Sequence, residues 1–84
     1  MSHIDAAFEK KLQGNPSANV RVIVRTAQAP AQHVSALEAK GFKVIRVSSL
    51  INAVTVEGKA QMALALDQED WVVRIEEDKI VHTM

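Results

Sequence analysis

Apolar residues recur along this chain at two periods, and the change from one to the other divides it into elements. Ile4, Ala7, Phe8 and Leu12 fall at helical spacing. They predict a helix over His3 to Gln13, with Ser2 as its N-cap and Gly14 as its C-cap residue. Asn15-Pro16-Ser17 forbids continuation. Val20, Val22 and Val24 then alternate with Arg21 and Arg25, the signature of a strand over Val20 to Thr26. Ile23 sits among the arginines, so the second face of this strand is not purely polar. Pro30 suits the first turn of a helix running to Lys40, with Val34 and Leu37 as inward anchors, Ala31 and Ala36 beside them, and Gly41 as the stop. Phe42 to Ser48 and Ile51 to Glu57 read as two strands joined by a turn at Ser48-Ser49-Leu50. The short connection leaves no room for a crossover, so the pair is an antiparallel hairpin. Gly58 breaks the pattern. Lys59 to Leu66 reads as a helix with Ala60, Ala63 and Leu64 at helical spacing, Asp67 to Asp70 as a polar link, and Trp71 to Glu76 as the last strand.

The order is a helix followed by β-α-β-β-α-β. That core is the split βαβ, or ferredoxin-like, arrangement of the α+β class: a four-stranded antiparallel sheet with two helices on one face. Residues 1–16 are an added N-terminal helical extension, expected to pack on the domain formed by residues 17–84.

Composition narrows the function more than the fold. The chain has 84 residues, ten basic and ten acidic, and a net charge of zero. A nucleic-acid binder or an anionic-membrane binder needs a basic surplus, so neither is expected as a partner. Cysteine is absent, which removes disulfides and thiolate metal sites and favours a cytoplasmic setting. Met1 to Lys11 is charged and lacks the apolar stretch of a signal peptide.

Catalytic signatures are missing. Gly14, Gly41 and Gly58 are isolated and form no phosphate loop. His3, His33 and His82 fall in separate elements, whereas a metal needs convergent ligands, so they read as surface or helix-face histidines. Ser35 and Ser48 lie in no nucleophile-elbow context. No enzyme, metal or cofactor is expected. Trp71, the one tryptophan, reads as core closing an end of the sheet rather than as a binding anchor. Glu76, Glu77 and Asp78 are a solvated strand end on the plain reading. On the sharper one, Glu76 and Asp78 are two apart, point to the same side of an extended strand, and are suited to capping two helices of a partner.

Several stretches together carry a family resemblance over about the last three-quarters of the chain. They are Ile51-Asn52-Ala53-Val54 after a β-rich segment, the short Ala/Leu helix ending at Leu66-Asp67, the strand Trp71-Val72-Val73-Arg74-Ile75, and Glu76-Glu77-Asp78 with His82 beyond it. In these marks the chain resembles the subtilisin propeptides and the free-standing protease inhibitors built on them. The resemblance implies an inhibitor of subtilisin-like serine proteases that also serves as a folding chaperone for a protease, and that is a monomer when free. It implies that the outer sheet face packs on two surface helices of the protease, with Glu76 and Asp78 capping them. It further implies that the tail enters the substrate cleft like a product, with Met84 in the primary pocket and Thr83, His82 and Val81 behind it. Met84 departs from the aromatic residue more usual there. The competing reading of the same fold is an ACT-like small-molecule-sensing or protein-interaction module. Such modules use Gly-rich strand-to-helix loops, and Thr26-Ala27-Gln28-Ala29 has no glycine.

Overall fold

The computed structural model describes residues 4–78. It contains α1 (Ala6–Gly14), β1 (Asn19–Thr26), a 3₁₀ turn (Pro30–His33) running into α2 (Val34–Ala39), β2 (Lys43–Ser48), β3 (Ala53–Lys59), α3 (Ala60–Leu66) and β4 (Val72–Glu77). The four strands form one antiparallel sheet in the order β2-β3-β1-β4. This is the ferredoxin-like arrangement, with α1 added before it.

The inner sheet face carries Val22, Val24, Val54, Val56 and Ile75, all fully buried. They share one core with Leu37, Ala63 and Leu66 of the helices and with Ile4, Phe8 and Leu12 of the N-terminal segment. The N-terminal helix therefore supplies core side chains.

The first helix starts later than its apolar spacing suggests. Asp5 is the N-cap, its carboxylate accepting from the Ala7 and Phe8 amides at 3.1 and 3.3 Å. Ile4 lies in an isolated parallel bridge to Ile75, beside the β4 edge. It is buried as the expected stripe requires, but in extended backbone. Ser2 and His3 lie outside the described residues. At the other end Gly14 belongs to the helix, and Asn15 is the C-cap.

Glycines mark two further departures. Gly41 ends α2 in a left-handed conformation (φ 98). Its amide donates to the Glu38 carbonyl at 2.9 Å and the Phe42 amide to the Leu37 carbonyl at 3.1 Å, which is a Schellman termination. Gly58 was expected to break the strand, but β3 runs through it to Lys59. A Cβ at Gly58 would lie 2.6 Å from the Phe42 ring. The missing side chain makes room for that ring, and the extended backbone continues.

The β2–β3 turn is longer than expected. Ile51 and Asn52 belong to it, and β3 begins at Ala53. Asn52 takes the left-handed conformation (φ 48) that Asn tolerates better than most residues. In β4, Val72 and Ile75 are both buried although three apart. The register shifts there: Thr26 faces Val72 while Arg25 faces Arg74, so Val73 has no opposite residue. Such a bulge reverses the alternation.

Candidate functional site

The last strand positions the acidic cluster. Glu76 faces Ile23 and Glu77 faces Val22 on β1. Val22 points into the core, so Glu77 lies on the helix side, where its carboxylate accepts from Lys11 Nζ of α1 at 2.6 Å. Glu76 lies on the outer, helix-free face. The Asp78 amide donates to the Arg21 carbonyl at 3.1 Å, which extends the ladder by one residue. Asp78 follows the last strand residue and lines the groove beside α1 together with Glu77; strand alternation carried one residue further would turn it toward the side of Glu76. Glu77 is separated from Glu76 by the sheet itself.

The outer face around these carboxylates is a charge lattice. Glu76 Oε1 accepts from Arg25 Nε at 2.8 Å, and Glu76 Oε2 is 3.7 Å from Arg74 Nε. Arg21 Nη2 is 3.6 Å from Glu57 Oε2, while Arg21 Nε is buried without a hydrogen-bond partner among the described residues. These side chains are about a third to more than half exposed, and ion pairs in that setting contribute only about 0–1 kcal/mol each. Arg25 thus holds Glu76 in place without consuming it. An ionised carboxylate has about four lone-pair positions, so one N–H bond leaves capacity for a partner's amide.

A groove of about 840 Å³ lies between α1 and the start of β1. Phe8, Leu12 and Val20 form its apolar lining, and Asp78 is at its rim. Its charged groups largely satisfy one another, through the Lys11–Glu77 and Arg21–Glu57 pairs.

At the far end of the sheet Trp71 is half-buried, packed on the core and stacked on His33, with ring centroids 4.2 Å apart and planes within 6°. His33 Nε2 is buried and has no hydrogen-bond partner among the described residues. Among those residues no three of His, Cys, Asp and Glu gather closely enough to hold a metal ion. No helix among them is long and apolar enough to cross a membrane. The cleft-binding residues suggested by the resemblance, Val81, His82, Thr83 and Met84, lie outside the described residues.

Sequence reasoning singled out Glu76 and Asp78 but missed Arg25 as the group that orients Glu76. The signal for it was available. Alternation places Arg25 on the same face as Ile23, and only the β1–β4 register adds that this face meets Glu76. In comparisons with known proteins, no family model matches the chain and no curated protein matches it.

Proposed function

We propose that the chain is a non-catalytic inhibitor of subtilisin-like serine proteases. It binds through the outer sheet face and through residues 79–84, which follow that face. The observation that carries this reading is Glu76 on the outer face at the end of β4, held by Arg25, with Glu77 turned to the helix side; in this reading Asp78, two residues on, joins Glu76 on that face. Two carboxylates about 7 Å apart along a strand are suited to two helix N-termini lying side by side. Each would accept the unpaired amides of a helix's first turn. Arg25 pre-orients Glu76 for that contact, which lowers the entropy lost on binding.

Immediately beyond Asp78 the chain supplies Ile80, Val81 and Met84 as apolar side chains. In this reading residues 81–84 lie along the substrate cleft as an added strand. Main-chain hydrogen bonds supply affinity there, and the pockets read Met84 and Val81. A protein that binds the native protease and not its unfolded chain also stabilises it, and would in that way assist its folding.

The experiment is a titration of the purified chain into subtilisin while hydrolysis of a chromogenic peptide is followed. Inhibition at micromolar concentration or below is expected, and none at micromolar concentration overturns the reading. Removing residues 81–84 should abolish the inhibition while leaving the circular dichroism spectrum unchanged. Glu76→Ala and Asp78→Ala should each raise the inhibition constant by about tenfold, the scale of one charge-assisted helix cap.

A further inference from the structure

The large apolar side chains left exposed among the described residues are concentrated. Ile45 and Val47 of β2 are 39% and 41% exposed, and Leu50 and Ile51 of the following turn are 99% and 52% exposed. Val73 is the remaining one. β2 is an outer edge of the sheet, and the bridge made by Ile4 lies at the opposite edge, on β4.

The turn is firmly anchored. The Asn52 carbonyl accepts from the Thr26 amide at 2.8 Å and from Thr26 Oγ1 at 3.2 Å, and Thr26 is buried. Leu50 is therefore held out in water by a braced turn, where its apolar surface gains nothing from folding.

We propose that the β2 edge and the β2–β3 turn form a docking surface for an extended segment of another protein in which acidic and apolar residues alternate. Three observations select this occupant. An edge strand presents unpaired main-chain N–H and C=O groups, which a polypeptide strand satisfies and a lipid surface does not. The side chains of β2 are sorted by face. Lys43 and Arg46 lie opposite Glu57 and Thr55 on the outer face, while Val44 and Val47 lie opposite Val56 and Val54 on the inner face. No ion pair among the described residues uses Lys43 or Arg46. A segment with carboxylates on one side and apolar groups on the other matches both faces, with Leu50 and Ile51 as apolar contacts at the end.

A second copy of this chain is the wrong partner. Pairing β2 with β2 would bring the Lys43 and Arg46 charges of two copies onto one face. The charges thus act against self-association while favouring an acidic strand. β2 and β4 are three strand spacings apart, roughly 14 Å. The Glu76 carboxylate lies at the opposite edge of the sheet from this surface.

The test is an NMR titration of the isotope-labelled full chain with two synthetic peptides, acetyl-(Glu-Val)₃-amide and acetyl-(Lys-Val)₃-amide. The expected result is a set of amide shifts confined to residues 43–52 with the acidic peptide. The basic peptide should bind at least about tenfold more weakly, because two favourable cross-strand charge contacts become unfavourable. Arg46→Glu, an exposed substitution whose fold is checked by its unperturbed β4 amides, should reverse that preference. Leu50→Ser should weaken the acidic peptide without changing its charge preference. Equal shifts with both peptides, shifts away from β2, or no shifts at all would overturn the proposal. So would concentration-dependent dimerisation through β2 in sedimentation of the chain alone.

Discussion

Gly58 shows how a single side chain, or its lack, sets local geometry. A glycine after a valine-rich stretch signals a break in a strand, yet here the strand continues and the Phe42 ring occupies the space of the absent Cβ. Gly58→Ala should therefore destabilise the domain by about 1–3 kcal/mol through overpacking, despite the better intrinsic propensity of alanine. A urea unfolding midpoint that does not fall would show that Phe42 moves aside without cost. Thr26 acts at the same scale. Its single hydroxyl proton is donated to the Gln28 carbonyl at 2.5 Å and shared with the Asn52 carbonyl at 3.2 Å, tying two loops together. Thr26→Val keeps the shape and removes both bonds, so a loss of about 1 kcal/mol is expected, with faster amide exchange in residues 49–52. The charged residues of the site were visible as types and spacing. Their partners were not, because Arg25 and Glu76 are far apart in the chain and meet only through the strand register.

At the scale of elements, type was more legible than boundary. Each helix and strand expected from apolar periodicity is present, since period 2 and period 3.6 are local properties of the chain. The ends moved where a tertiary contact competed with the local signal. Ile4 left the helical stripe to bridge Ile75, and Asp5 took over as cap. Val73 bulged out of β4 because the β1 register shifts beside it. The N-terminal helix offers the clearest test at this scale. Phe8 and Leu12 are buried in the same cluster as the sheet valines. Phe8→Ala should cost about 3–5 kcal/mol, a large share of the about 5–15 kcal/mol available to a small domain. A chain beginning at residue 17 should accordingly lose its cooperative thermal transition. A sharp transition in that truncated chain would mean that α1 is dispensable. Asp5→Ala should cost about 1 kcal/mol by removing the cap alone.

Among the described residues the sheet has one helix-covered face and one open face, and its two edges differ. The Lys11–Glu77 pair joins α1 to the last strand on the covered side, while Glu76 lies on the opposite face. Because the β2 turn and the end of β4 lie at opposite edges, the two proposed surfaces should behave independently. Leu50→Ser should leave inhibition of subtilisin within about twofold of the parent, in line with the additivity of distant sites. Loss of inhibition in that variant, with the fold intact by circular dichroism, would mean that the two surfaces are one.

The amino-acid sequence alone determined the element types, the β-α-β-β-α-β order and hence the fold class. It also determined which residues bring charge to the end of the chain, for these follow from local periodicity, turn chemistry and composition. The three-dimensional structure decided which face of the sheet Glu76 takes, that Arg25 holds it, that Gly58 accommodates Phe42, and that four of the exposed large apolar residues gather at the β2 edge and its turn. Each of these depends on register between segments distant in sequence. A one-residue slip would send every side chain of a strand to the opposite face, and only the packed core settles which register wins.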